Sequence, residues 1–316
     1  MVKRQQAEAI NLYKLARREQ LLQQAFTNTR LLWGSLLAIL LLVVALFAPW
    51  LSTYKPLEVD IVNRLAGPST QHLFGTDNFG RDVFSRVLHG LRNSVQVGFI
   101  ASLLASAIGL VVGLYAAMYR WLDQLLMRIM DALFAFPAIL LAIAIMAALG
   151  ASMLNLMMCL AIVFIPSVAR IVRSSAVVAK QQAYIEAQRA IGSSDTRMIW
   201  QHIMPNTLPA LIVQGSFVFA ESIIVEAALS FLGAGIPAPT PSLGNQLSEG
   251  KMFIFQSWWM TLFPGIALIV AVLAVYLLGD GFRDLLDPHT AKKGHAKALY
   301  KRLSGLNQAG KEGTAS

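Results

Sequence analysis

Two glutamates stand inside a run that is otherwise free of charge. Glu221 and Glu226 lie between Leu208 and Leu232 and are the only acids or bases within any of the long apolar stretches. A carboxyl group in such surroundings is costly, so it faces a polar cavity or a partner group. The chemistry open to it is to hold a proton or attract a cation. Five residues apart on a helix, the two acids point about 140° away from each other and need not share a face. One of them would line a polar route, or act as a hydrogen-bonded partner for a neighbouring helix, with Glu226 close to the end of the run. Asp77, Arg81, Asp82 and Arg86 form a second charged group. Asp77/Arg81 and Asp82/Arg86 have the i,i+4 spacing of ion pairs on one external helix, whose start Thr76 or Asp77 can cap. Such pairs support a helix, and they can also present a contact surface to a partner. Five histidines are scattered at positions 72, 89, 202, 289 and 295. A lone His202 on a short polar helix is an interface or surface residue before it is a metal ligand. The sequence has no G-x-x-x-x-G-K-[ST] phosphate loop, no H-E-x-x-H and no G-x-S-x-G, so nothing assembles a reaction centre.

The elements that must carry these residues follow from composition. Of 316 residues, 56% are hydrophobic and 14% charged, with mean hydropathy +0.58. Soluble domains run near 45–50% apolar and about 25% charged. This balance excludes an ordinary soluble enzyme, a disordered chain and a nucleic-acid-binding domain. Cys159 is the single cysteine and lies in an apolar run, so there is no intrachain disulfide framework. A bilayer core needs roughly 20 apolar helical residues. Six stretches qualify, at about 31–50, 95–119, 132–149, 153–169, 208–232 and 258–278. The charge-free run 132–169 is too long for one span and divides at the turn-rich segment 150–155. The expected fold is an all-α integral membrane protein with six transmembrane helices. Residues 1–30 are expected to form a cytoplasmic N-terminal tail and 289–316 a Lys/Gly-rich cytoplasmic C-terminal tail, with span one an uncleaved anchor in place of a cleavable leader.

Orientation follows from basic residues. With the N-terminus inside, twenty of the 26 lysines and arginines fall on the cytoplasmic segments and six outside. That expectation is N-in and C-in, and it accounts for the net charge of +9 without nucleic acid. Ala101, Ala105, Gly109, Gly113 and Ala117 recur every four residues and give span two a face of small side chains on which another backbone can pack closely. Pro137, Pro166 and Pro264 fall within spans three, four and six as candidate kinks. Trp258 and Trp259 mark the outer interface of span six.

The long cytoplasmic loop 171–207 reads as helical. Ala176, Ala179, Ala183, Ala187 and Ala190 form a small-residue stripe. Gly192 is placed as a helix C-cap. Ser193, Ser194 and Asp195 are N-cap candidates for a second short helix over 196–204, which Pro205 and Pro209 end. The expectation is a cytoplasmic helix-turn-helix whose small face fits a groove on another protein.

Glu186-Ala187-Gln188-Arg189-Ala190-Ile191-Gly192, with Pro205 thirteen residues after the glycine, resembles the signature loop of ABC importer permeases. That pattern reads Glu-Ala-Ala, three residues, Gly, nine residues, then Ile-x-Leu-Pro. Here Gln188 replaces the second alanine, His202 the isoleucine and Met204 the leucine. The stretches 75–86 (GTDNFGRDVFSR), 237–244 (PAPTPSLG, with Leu243 for a usual tryptophan) and 279–288 (GDGFRDLLDP) are similar to blocks of the peptide-type branch, which takes in dipeptide, oligopeptide, nickel and glutathione importers. The resemblance covers roughly 31–288. It implies a non-catalytic permease subunit of the bacterial inner membrane, surrounded by lipid. Its implied partners are a second homologous permease, two ATPase subunits that carry ATP and Mg, and an extracytoplasmic solute-binding protein; no cofactor is bound by this chain. By resemblance, Glu186, Ala187, Arg189, Ala190, Gly192, Asp195, His202 and Pro205 belong to the ATPase-docking coupling loop. Span five, with Glu221 and Glu226, lines the pathway. The alternative is a secondary, ion-coupled transporter that uses those two acids for coupling.

Overall fold

The computed structural model describes residues 28–286, so the expectations for the two tails lie outside the described residues. Helix α1 spans Thr29–Leu51, where the Asn28 side chain accepts from Arg30 N and Leu31 N. After an irregular segment, α2 runs Val83–Met118 with Asp82 as its N-cap. Next come α3, Arg120–Phe134, and α4, Ala138–Leu149. Helix α5 is Met153–Lys180 and α6 is the short Ala183–Ala190. One helical turn, Asp195–Arg197, and a wider π-type stretch, Met198–Ile203, lead directly into α7, Met204–Phe231. Helix α8, Leu243–Lys251, and α9, Trp259–Leu286, complete the described chain.

Five of these helical stretches are long and apolar enough to cross a bilayer, and α3 with α4 would make a sixth if the bent pair crosses as one span. The third span differs from expectation. The two helices meet at 93°, and the 12 residues of α4 rise only about 18 Å, short of a core about 30 Å thick. Pro137 causes the break. It has no N–H for the α3 ladder and disfavours helical geometry at Phe136. Beyond the apolar run that ends near 169, α5 continues through Arg170 and Arg173 to Lys180, in keeping with the helical reading of 171–207. Arg170 pairs with Asp131 at 2.7 Å, and Arg173 pairs with Asp123, both acids on α3. Lys180 Nζ donates to the Ala117 and Met118 carbonyls at 2.9 Å and so caps the end of α2. The turn expected between spans three and four is present. The Asn155 amide donates to Leu149 O at 2.8 Å and Gly150 O at 3.0 Å.

The centre of the bundle is the crossing of α2 with α5. Ala101, Ala105, Gly109 and Gly113 are buried on one face of α2, with Ala117 half-buried below them. A Cβ at Gly109 would stand 2.7 Å from Val168 Cβ, and one at Gly113 would stand 2.7 Å from Ala169 O. Only glycine allows that approach. Helix α7 packs against this pair, and α9 packs on α7. Helix α1 packs along α9 and leaves Leu36, Ile39, Val43 and Phe47 exposed. Pro166 and Pro264 sit inside α5 and α9 without ending either helix. One end of the bundle carries 52–82 and α8; the opposite end carries α3, α6 and 191–203.

The α2–α5 contact yields a prediction. Gly113→Leu forces a side chain into the Ala169 backbone, and overpacking of this kind costs about 1–3 kcal/mol. A lowered midpoint in thermal unfolding of the detergent-purified protein is expected. Unchanged stability would show that the helices separate at no cost.

Candidate functional site

The polar residues singled out by sequence resolve into three places. The first is the helical loop at one end of the bundle. Helix α6 is anchored through Ile185, which is 1% exposed, against a buried group that includes Met198, Ile199 and Ile203. Glu186, Ala187, Arg189, Ala190, Gly192, Asp195 and Pro205 are exposed, and His202 is half-buried. Gly192 has φ +78°, and nothing stands within 4 Å of where its Cβ would be. The requirement there is conformational, not spatial: the left-handed region favours glycine. Gly192 N donates to Arg189 O and Ser193 N to Gln188 O, both at 3.0 Å. The Ser193 hydroxyl donates to Gln188 Oε1 at 2.7 Å. Gln188, the residue that departs from the signature pattern, therefore ties the turn together. Asn206 Nδ2 donates to the Tyr184 hydroxyl at 2.9 Å and links α6 to the start of α7.

Two sequence expectations for this loop are corrected. The alanine stripe is not continuous. Ala176 and Ala179 are buried on α5, whereas Ala183, Ala187 and Ala190 are exposed on α6, after a turn at Gln181 and Gln182. Nor do Pro205 and Pro209 end the second helix, which runs unbroken from Asp195 to Phe231. Pro205 therefore sits inside a continuous helix, where its missing N–H leaves a carbonyl of the preceding turn without its usual partner. The π-type stretch just before it absorbs the altered hydrogen-bond pattern.

The second place separates the two glutamates. Glu226 is fully buried. Ser94 Oγ of α2 donates to its Oε2 at 2.6 Å, and Ser230 Oγ donates to Oε1 at 2.8 Å. Ser230 Oγ in turn accepts from Ile236 N at 3.1 Å, and Asn93 Nδ2 donates to Pro241 O at 2.8 Å. Glu226 thus joins α2, α7 and the segment that leads to α8. Glu221, about one and a half turns earlier, is exposed. Sequence reasoning missed Ser94 and Ser230; the i,i+4 spacing of Glu226 and Ser230 was the available signal.

The third place is an ion-pair cluster at the opposite end from α6. The Asp77/Arg81 pair forms, with Arg81 Nε donating to Asp77 Oδ2 at 2.6 Å, but it lies in a tight turn and not on a helix. Asp77 Oδ1 accepts from Phe79 N and Arg81 N, at 2.8 and 3.0 Å. The expected Asp82/Arg86 pair does not form. Asp82 caps α2 by accepting from Ser85 N at 2.8 Å and bonds His72 Nδ1 at 3.0 Å. Its carboxylate is held by the first-turn N–H groups that α2 leaves free, so Arg86 turns elsewhere. Arg86 Nε is 3.4 Å from Asp77 Oδ2 and Nη2 is 3.0 Å from Glu249 Oε2. Arg81 Nη2 reaches the same Glu249 oxygen at 2.8 Å. Trp259 is buried and donates from Nε1 to Thr76 O at 3.0 Å, while Trp258 is about half exposed. Glu249 lies 163 positions beyond Arg86, and no local pattern could have paired them.

Among the described residues, no three His, Cys, Asp or Glu side chains gather as a metal site. An open cleft of about 980 Å³ lies between α3 and α5, with Trp121, Asp123, Arg128, Asp131, Arg170 and Arg173 among its lining residues. Cys159 is buried in the bundle.

These features define a multi-pass helical membrane protein with an exposed helical loop at one end and a charged clasp at the other. The chain belongs to the family described as the binding-protein-dependent transport system inner membrane component, which it matches over residues 109–292. It is therefore an ABC-type permease subunit, a non-catalytic part of a transport system. Similar curated proteins include a putative peptide transport system permease protein of Brucella abortus, 46% identical over 83% of this chain and 88% of that one. A dipeptide transport system permease protein of Alkalihalophilus pseudofirmus is 43% identical over 84% and 88%. A glutathione transport system permease protein of Escherichia coli is 46% identical over 81% and 85%. Among solved structures, an inward-facing methionine ABC transporter, MetNI, has the same fold, with TM-score 0.54 at 19% identity over 63% of this chain and 96% of that one.

Asp77→Ala would leave Arg81 and Arg86, which are 7% and 2% exposed, with Glu249 as their remaining carboxylate. Breaking a buried charge pair in this way costs about 3–5 kcal/mol. Thermal unfolding of the purified protein should register that loss; a change under about 1 kcal/mol would class the cluster with exposed surface pairs.

Proposed function

We propose that this chain forms half of the translocation pathway of an ATP-driven importer for peptides or peptide-like solutes. The solute class rests on the relatives, which are named for peptide, dipeptide and glutathione transport. A second homologous permease completes the pathway. Two ATPase subunits carry ATP and Mg and dock at the end that bears α6, and an extracytoplasmic solute-binding protein delivers from the opposite end. The chain sits in the bacterial inner membrane with its N- and C-termini inside, a reading supported by the concentration of lysine and arginine on those segments.

The observation that carries this proposal is the exposed turn at Gly192. Helix α6 buries Ile185 and leaves Glu186, Ala187, Arg189 and Ala190 outward, a small and charged face suited to a groove on a motor subunit. Asp195, His202 and Pro205 continue that surface into α7. Closure of the ATPase pair displaces the loop, and the unbroken helix from Asp195 carries the displacement into the membrane. ATP supplies the difference in affinity between the inward- and outward-open states. Glu221 is the pathway acid, because an exposed carboxyl on a membrane helix does not face lipid. Glu226 holds helices together. With that acid enclosed by serines, the ion-coupled alternative loses one of its two coupling groups.

Co-purification tests the complex: ATPase subunits should accompany the tagged chain, and uptake into vesicles should require ATP. Gly192→Val should abolish uptake while membrane insertion persists, because a β-branched residue resists positive φ. Normal uptake would remove the loop from the mechanism. Glu221→Gln should lower uptake about ten-fold or more with the complex intact. Loss of the complex in that variant would instead make Glu221 a contact between subunits.

A further inference from the structure

Two polar atoms of the ion-pair cluster have no partner in the protein: Arg86 Nη1 and Gln246 Oε1. Arg86 is 2% exposed and Gln246 4%. Both residues line one cavity of about 10 Å³, whose other walls are Asp77, Val83, Glu249 and Met260. The Gln246 amide cannot be reversed. Its Nε2 donates to Arg86 O at 2.9 Å and to Ser242 O at 3.1 Å, and turning it round would set an oxygen against two carbonyls. Arg86 uses Nε toward Asp77 and Nη2 toward Glu249. One residue therefore has an unused donor and the other an unused acceptor, and the two residues line the same small space.

We propose that this cavity binds a single water molecule, which accepts from Arg86 Nη1 and donates to Gln246 Oε1. The chemistry of the walls selects it. An anion has no hydrogen for Gln246 Oε1 and would lie beside the carboxylates of Asp77 and Glu249. A metal cation cannot accept from a guanidinium. An apolar group would strand both atoms. Water satisfies donor and acceptor together, and the space is at the lower limit for one molecule. Its second hydrogen is available to Asp77 or Glu249. The water joins α8 to the first turns of α2 and completes the clasp, as bridging waters do for buried polar groups elsewhere.

X-ray radiolysis of the purified complex tests this directly. A hydroxyl radical formed from a bound water oxidises the nearest thioether before it can diffuse away. Met260 borders the cavity, and Met198 lies in the apolar group beneath α6; they are 3% and 2% exposed, and both lie at the ends of the bundle. Met260 sulfoxide is expected to accumulate about ten-fold faster than Met198 sulfoxide. Equal slow rates would overturn the proposal. A structure of the complex that resolves ordered water should show density within hydrogen-bond distance of both atoms. A dry cavity, an ion, or a direct Arg86–Gln246 contact would overturn it as well.

Discussion

The α2–α5 crossing is the constraint on which the remaining architecture rests. In lipid, apolar side chains gain little by meeting one another instead of acyl chains, so helices associate through close packing and internal hydrogen bonds. Gly109 and Gly113 let two backbones approach until Val168 and Ala169 leave no room for a side chain. That contact makes α5 the most enclosed of the spanning helices. It also brings the ends of α2 and α5 together, where Lys180 closes the α2 carbonyls. Helix α7 then packs into the groove the pair creates, so the position of its two glutamates is set from the centre outward.

The two ends of the bundle are built on opposite principles. At the α8 end, two guanidiniums and two carboxylates interlock with a histidine–aspartate pair and a tryptophan N–H. Buried charges paired this way gain conformational definition more than net stability. At the α6 end, few side chains are enclosed, and the turn is held by short local bonds around Gly192 and Gln188. Regions with few buried contacts open at low free energy. A firm end and a yielding end suit the proposed push from one side.

The long apolar helices α1, α2, α7 and α9 were legible because a chain that crosses a bilayer needs apolar runs of that length, and the small-residue face of α2 because its period is that of the helix. Gly192 was legible because a left-handed turn asks for glycine. Pro137 was legible as a break in the third run; the size of the bend, 93°, and the helix that residues 120–131 form ahead of it were not. Partner choice in the charged cluster was also hidden. Asp82 has the spacing to pair with Arg86, yet the unfilled N–H groups of α2 compete for it, and Glu249 arrives from a distant part of the chain. The roles of Glu221 and Glu226 diverged for a similar reason, since the serines that enclose one of them come from two helices.

The unbroken helix from Asp195 to Phe231 has a geometric corollary. Asp195 and Glu226 are fixed to a single rod, about 45 Å apart along its axis at the rise of an α-helix. Such a rod transmits tilt and twist along its length; its ladder lacks one N–H at Pro209, and its winding loosens at Met198–Ile203. Tightening that π-type stretch would turn what lies beyond it like the shaft of a key, so a rotation begun near Asp195 would reach the serine-lined carboxyl on the far side.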